Sequence, residues 1–350
     1  MNDTTMPRLL IIRNDRVGDL LLSLPALEYA RKVFPETEIS VLASSRTASL
    51  LRGNAHVDRV LLDDGKSSAR VLGAQLRQHV FDAAIAIFTN TRNCLAVWHA
   101  GIPLRVAWAH KPVGLLLGNR RVWIRRSHPP IHETEFALAF VRRLRTVAGV
   151  PLFPPSITVD PDALRRVELR IRSDLGDQGP CFGVHPGSYG STYNWPAQRY
   201  LELASQLAAY GRVVVTGGPG EREMLADMQA QLVPGLRSRV AFYHEFDLQE
   251  LAAAISQLDV LTVSNTGPMH LAGVLGTPLV ALFSAHPAHS AAKWEPFGQR
   301  KTILQAPLLP GERAEIPPGA SLEHMCRISV DEVVQANLAH LQHPRVRQSA

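Results

Sequence analysis

Short apolar runs alternate with amphipathic stretches along almost the whole chain. In the first half, Leu9–Arg13, Ile39–Ala43, Arg59–Leu62, Ala83–Phe88 and Arg105–Trp108 read as strands. Between them, Asp19–Val33 reads as helix with an interruption at Pro25, and Lys66–His79 and Thr91–Ala100 read as helices. A longer helix, Thr134–Ala148, ends at Gly149, a C′ glycine by position. Apolar runs without a polar face suit strands covered on both sides, which is the parallel βαβ arrangement. Residues 150–156, with three prolines and no helical period, read as a linker.

The second half repeats the alternation. Pro161–Leu175, Pro196–Tyr210, Glu221–Leu232 and Asp247–Gln257 read as helices, and Asp247 and Glu250 have capping-box spacing. Cys181–His185, Arg212–Thr216, Asp259–Ser264 and Leu279–Ser284 read as strands. The last helix, Val330–Leu341, follows a completed sheet and is placed back against the first half. The pattern predicts an α/β chain of two Rossmann-like, doubly wound parallel-sheet domains facing across a cleft, with ligands at the carboxyl ends of the strands. The expected divisions are 1–155, 156–328, and a terminal helix and tail over 329–350.

Composition narrows the class. The 350 residues are 46% apolar and 19% charged, enough for two ordinary cores. The 3 cysteines have no paired spacing, which favours a reducing compartment over a disulfide framework or a zinc site. The apolar run near the N-terminus is too short for a signal peptide, and no run approaches the ~20 residues that span a bilayer. A cytoplasmic location is expected. The net charge of +6 is uneven, with nine Lys or Arg against two acids in residues 101–150. Such a field suits an anionic substrate or an anionic membrane surface, or is simply a solvated basic face. No nucleic-acid motif accompanies it, so nucleic acid is not an expected partner.

Four strand-end segments carry candidate chemistry. In Ser264-Asn265-Thr266-Gly267-Pro268-Met269-His270, a strand opens into a helix whose first N–H groups and positive dipole end suit a diphosphate. The structural alternative is an ordinary capped helix with a surface His270. In Val184–Pro196, two glycines and the donors Ser188, Thr192 and Tyr193 could approach a phosphate. In Thr216–Glu223, an acid at a helix start could accept from ribose hydroxyls or merely favour the dipole. In Arg13–Asp19, Asp19 is either an N-cap or a general base, and Arg13 and Arg16 could hold anionic groups. His110, His128 and His132 read as surface or packing histidines. GxSxG, P-loop, HExxH, CxxC and GxGxxG patterns are missing, and no Asp-X-Asp follows a strand.

Taken in order, Arg13-X-Asp15-Arg16-Val17-Gly18-Asp19, His185-Pro-Gly-Ser188 with Trp195-Pro196, Gly217-Gly-Pro-X-Glu221, Asn265-Thr-Gly-Pro-Met-His-Leu-Ala272 and Trp294-Glu-Pro-Phe-Gly298 resemble the heptosyltransferase family, glycosyltransferase family 9. The Cys326–Val333 ending is also similar. The resemblance implies a GT-B fold and inverting, metal-independent transfer of heptose from ADP-L-glycero-D-manno-heptose to the inner core of lipopolysaccharide, with no cofactor beyond the nucleotide-sugar substrate. It implies Asp19 as base, Asn265, Thr266, Gly267 and His270 at the diphosphate, and Glu221, with Glu223 next, at the ribose. Arg13, Arg16 and Arg120 are the candidate contacts to an anionic glycolipid acceptor, with transient contact at the inner face of the inner membrane. Tyr193 stands where many members have Lys, and Asn265 where many have Asp; Lys293 or Arg16 could supply the lost charge. The other readings are a relative moving another sugar or using another acceptor, a degenerate nucleotide-sugar-binding protein, and an unrelated nucleotide-binding protein or oxidoreductase. The last is disfavoured by the missing GxGxxG.

Overall fold

The computed structural model describes residues 6–126, 130–314 and 321–342. Two compact units divide at Met1–Thr158 and Val159–Ala350. The first holds β1 (Arg8–Arg13), β2 (Glu38–Ser44), β3 (Arg59–Asp63), β4 (Ala83–Ala86), β5 (Leu104–Trp108) and β6 (Arg120–Val122), ordered β3-β2-β1-β4-β5-β6. The second holds β7 (Cys181–His185), β8 (Arg212–Thr216), β9 (Val240–Tyr243), β10 (Val260–Ser264), β11 (Leu279–Phe283) and β12 (Lys301–Gln305), ordered β12-β11-β10-β7-β8-β9. Every strand pairing described is parallel. Each chain half winds outward from its first strand, then returns to begin on that strand's other side. The switch points therefore lie between β1 and β4 and between β7 and β10, where open α/β sheets take ligands at their carboxyl edge.

The predicted doubly wound halves are thus present. Their central strands are buried on both faces; Leu9 to Ile12 are fully covered, as are Phe182, Val184, Val263 and Leu282. Helix ends follow local chemistry. Asp247 and Glu250 form the expected capping box, and Gly276, at φ +66, closes the helix Gly267–Leu275.

Several boundaries differ. Asp19–Val33 is two helices, Val17–Leu22 and Leu24–Val33, with Ser23 between them and Pro25 in the first turn of the second, where a missing N–H costs nothing. The helix expected to reach Ala148 ends at Arg142, so Gly149 is not its C′ residue. Beyond it, Val147 N–H is taken by the Tyr29 hydroxyl at 2.9 Å and Arg145 donates to Val33 carbonyl at 2.8 Å, which draws the chain off the helical path. The last helix, Val330–Leu341, places Val330, Val333 and Val334 in the second core. There Asn337 donates to Thr262 at 2.8 Å and fixes the helix on β10. Residues 343–350 of the expected tail lie outside the described residues.

Candidate functional site

The turn after β1 is held from below by charge. Arg13, the last residue of β1, is only 2% exposed. Its guanidinium donates to Asp19 at 3.0 Å and Glu133 at 2.8 Å, and lies 3.4 Å from Asp15. Burial opposes the charge on Arg13, yet the three carboxylates hold its proton more firmly than usual. Arg126 closes the network by pairing with the other oxygen of Glu133, while its guanidinium lies 4.4 Å from the Phe136 ring. Asn14, in the same turn, donates to Asn93 at 3.1 Å and to Asp63. Asp63 is gripped in bidentate fashion by Arg92 at 2.7 and 2.8 Å. Burial pushes the Asp63 carboxyl upward, but the bonds from Arg92, Gly65 and Asn14 outweigh it and hold the group below its usual range.

Asp19 sits within this frame with its side chain 18% exposed. It is the third residue of its helix, and Arg16 takes the N-cap position. The N-cap alternative for Asp19 is therefore replaced by an ion pair to Arg13. Burial raises the Asp19 pKa; Arg13 opposes the rise, Glu133 adds to it, and Arg126 and Arg16 oppose it. The result is a partly open carboxylate with a raised proton affinity, a suitable property for a general base. Asp15 is pushed up to about 7, chiefly by burial. A carboxyl raised by folding binds its proton first in the folded chain, so its stability contribution is lost as pH rises. Between 3.8 and about 7, Asp15 therefore weakens the fold as pH increases. Asp15→Asn is expected to remove that part of the pH dependence, read as a smaller loss of melting temperature from pH 5 to pH 8 than in the parent; an identical loss in both proteins rejects it.

Two of the expected acceptor contacts change character. Arg13 is a buried strut whose guanidinium is taken up by Asp15, Asp19 and Glu133. Arg120 opens the edge strand β6, level with Ile11 through Val106 and Ile85. That is three strand spacings, roughly 14 Å, from β1, and it precedes the carboxyl edge. Arg16 is exposed beside the turn and remains with Asp19. Residue types alone did not reveal Asp15, Arg126 or Glu133; Glu133 is 120 positions from Arg13, and no spacing rule links them.

At the second switch point, loops after β7 and β10 are tied together. Asn194 donates to Pro186 carbonyl at 2.7 Å, and its side-chain oxygen accepts from Tyr200 at 2.8 Å and from Ser264. Trp195 Nε1 donates to Met325 carbonyl at 3.0 Å and anchors the loop's far end. His185 is not exposed to a ligand. It is buried against Thr216 at 2.9 Å, and burial lowers its pKa to about 4. Thr192 is 8% exposed, and its hydroxyl has no hydrogen-bond partner among the described residues. Ser188 accepts from Gly190 N–H at 3.3 Å and stays half-buried.

The helix Gly267–Leu275 begins at the end of β10. Thr266 is its N-cap by backbone, but its hydroxyl donates to Ser264 carbonyl at 3.3 Å rather than capping. Asn265 donates to His289 carbonyl at 3.2 Å. His270 is 2% exposed, so the surface-histidine alternative does not hold. Its ring lies 6.5 Å from Trp294. The Trp294–Gly298 segment presses on this helix closely enough that a Cβ at Gly273 would meet Phe297 backbone at 2.7 Å. Tyr193 meets His286 edge-on and His289 at a tilt, at 5.5 and 5.1 Å between centroids. Burial lowers the His289 pKa, with His286 and Lys293 adding to the effect. The positions departing from the family pattern, Tyr193 and Asn265, thus meet at one imidazole-rich corner.

Glu221 is buried while Glu223 is exposed. Burial raises the Glu221 pKa, against the pull of nearby Gly218, Tyr189 and Ser188 amides. One carboxylate oxygen accepts from Gly218 N–H at 2.8 Å. The carboxylate fills the space at Gly187, where a Cβ would come within 2.1 Å of it. It therefore braces the two glycine turns against each other in addition to any ribose contact. His132 caps the helix Glu133–Arg142 by accepting from Thr134 at 3.3 Å, and His110 lies between Trp108, tilted to it, and Trp123, edge-on to it, as packing residues do. His128 lies outside the described residues.

Comparison with known proteins agrees with this geometry. The sequence profile of glycosyltransferase family 9 (heptosyltransferase) matches residues 69–315. A putative glycosyltransferase of Haemophilus influenzae is 30% identical, over 83% of this chain and 86% of that protein. The lipopolysaccharide heptosyltransferase 2 of Escherichia coli K12 is 27% identical, over 79% of this chain and 82% of that protein. The solved structure of the E. coli ADP-heptose LPS heptosyltransferase II shares the fold with a TM-score of 0.78 at 23% identity, covering 96% of this chain and 98% of that one. With the family profile spanning most of the chain and the switch-point loops arranged as described, the chain belongs to glycosyltransferase family 9, the heptosyltransferases.

Proposed function

We propose that this glycosyltransferase moves heptose from an ADP-heptose donor to the inner core of lipopolysaccharide, with inversion and without a metal. The observation that carries this reading is Asp19, a partly open carboxylate with raised proton affinity at the β1 switch point. In the reaction, Asp19 takes the proton of an acceptor hydroxyl. The acceptor oxygen attacks the anomeric carbon, the bond from that carbon to the diphosphate oxygen breaks, and ADP leaves with the electron pair. One displacement inverts the configuration. The N-terminal end of Gly267–Leu275, with Thr266, Gly267 and His270, is suited to the charge that develops on the diphosphate. Thr192, Ser188 and Tyr193 add hydroxyl donors, and Glu221 faces the ribose. Arg16 suits the anionic acceptor. The E. coli relatives named as lipopolysaccharide and ADP-heptose heptosyltransferases support the donor and acceptor.

The deciding experiment incubates the purified chain with ADP-heptose and Kdo-lipid A or heptosyl-Kdo-lipid A, and reads products by mass spectrometry. A heptose added to either acceptor supports the reading; donor left intact with both sinks it. Analysis of the core from a strain lacking this chain identifies the missing residue. A second reading, transfer of another sugar, is favoured by the corner of Tyr193, His286, His289 and Asn265, and competing nucleotide sugars in the same assay test it. His270→Ala is expected to weaken ADP binding roughly tenfold, the loss of one charge-assisted hydrogen bond. Unchanged affinity by calorimetry removes His270 from the diphosphate. EDTA is expected to leave the rate intact, and a large loss overturns the metal-free mechanism.

A further inference from the structure

From Ala83 to His132 the sequence has no Asp or Glu but seven cations: Arg92, Arg105, Lys111, Arg120, Arg121, Arg125 and Arg126. The flanking carboxylates are engaged elsewhere. Asp82 accepts from the Arg8 N–H at 2.8 Å, and Glu133 is buried between Arg13 and Arg126. In the middle of this stretch, the short helix Pro112–Leu117 leads through Gly118 into the edge strand β6 and on to Trp123.

Gly114 decides which way that helix faces. It is buried, and a Cβ there would meet Trp108 carbonyl oxygen at 2.2 Å, so this side lies flush on the sheet. Residues 115 and 116 are left outward, with Leu115 38% and Leu116 78% exposed. Trp123 is 67% exposed. Arg121 Nε donates to Leu115 carbonyl at 2.9 Å, and Trp123 lies edge-on to His110 at 6.0 Å, so helix, strand and indole form one edge. Lys111, Arg120, Arg121 and Arg125 are exposed along it.

We propose that this edge of the first unit docks on an anionic lipid bilayer, with Leu115, Leu116 and Trp123 entering the interface and the four cations meeting the headgroups. Tryptophan favours the depth between headgroup and acyl chain, and basic residues gain from the negative surface potential. A nucleic acid or a soluble acidic protein accounts for the cations but leaves both leucines in water. A few apolar side chains plus a few cations give reversible attachment, as an enzyme that must move between acceptors requires. The inference extends the glycolipid-acceptor reading above, but its test does not depend on transfer.

The test is sedimentation of the full chain with vesicles of phosphatidylcholine, alone or with about a third of phosphatidylglycerol. The chain is expected to pellet with the anionic vesicles only and to be released by about 0.5 M salt. Leu116→Glu and Trp123→Ala, both at exposed positions, are each expected to cut the bound fraction about tenfold at unchanged melting temperature. The blue shift of tryptophan emission on binding is expected to vanish in Trp123→Ala. Absence of binding by the parent chain overturns the proposal. So does wild-type binding by Leu116→Glu together with equal competition by soluble heparin, which marks a mere polyanion surface. Transfer to a lipid-free core oligosaccharide is expected to be unchanged in Leu116→Glu. If neither protein transfers, the reaction assigned above fails while the vesicle result still decides the docking.

Discussion

Asp19→Ala is expected to lower kcat for sugar transfer by roughly 10³-fold, the middle of the range for a lost general base, while ADP affinity stays within about twofold. The separation follows from placement. Asp19 belongs to the first unit and its bonds run to Arg13, whereas the helix Gly267–Leu275, proposed to hold the diphosphate, belongs to the second. Asp19→Asn tests the same role with less disturbance, since the amide can still accept from Arg13 but cannot take a proton. Near-normal turnover in either variant removes Asp19 as base. The pH profile gives a second reading. Only the carboxylate can accept the proton, so activity falls as pH falls through the folded pKa of Asp19. Burial has moved that pKa upward, so the acid limb of kcat/KM is expected above the pH of about 4 typical of an ordinary carboxyl. Glu133→Gln removes a neighbour that raises the Asp19 pKa and is expected to move the limb downward. A limb unmoved in that variant indicates that another group titrates.

The central strands were legible because their sequences have only one stable use. Leu9 to Ile12 and Val213 to Val215 are uninterrupted apolar runs, and such runs between helices must be covered on both faces. The edge strands β6, β9 and β12 were not read. Arg120-Arg121-Val122 and Lys301–Gln305 are half-exposed and mix charge with apolar residues, which is how an edge strand discourages further pairing. The helical period through Arg142–Val147 was read correctly as a pattern but wrongly as a helix. Tyr29 and Val33, more than a hundred positions earlier, supply the bonds that pull it straight. The strand-to-helix turn at Ser264–His270 was readable because its signals are local: a strand end, Pro268 in the first turn and a closing glycine. Nothing local marks Glu133 as the partner of Arg13, or Arg126 as the second cation on Glu133, because only the folded first unit brings them together. Sequence offers Arg13 only as a cation in the turn after β1; its three carboxylates make it a buried support beneath Asp19.

That support gives the largest expected stability effect. Arg13→Met is expected to cost about 3–5 kcal/mol, the range for removing one partner from a buried ionic group. Methionine fills much of the volume, so the loss is electrostatic rather than a cavity. Asp15, Asp19 and Glu133 are left facing one another; Glu133 keeps its ion pair to Arg126, and Asp19 keeps only the weaker pull of Arg126 and Arg16. Without Arg13 the Asp15 and Asp19 carboxyls rise further above their unfolded values, since Arg13 is the largest influence lowering both. A carboxyl raised in the folded chain stabilises at low pH and loses that contribution as pH rises through its folded pKa. The deficit of Arg13→Met is therefore expected to be largest near pH 8 and to shrink toward pH 5. Urea melts at the two pH values, read on the first unfolding transition, measure it. Arg13→Lys, which keeps charge but not the planar fork that spans two carboxylates, is expected to fall between parent and Met variant. Asp15→Asn in the Met background is expected to recover part of the loss at pH 8, because it removes one unpaired carboxylate. A deficit under about 1 kcal/mol at pH 8, the size of an exposed pair, means the network contributes no more than a surface salt bridge, and Asp19 then owes its position to its helix alone.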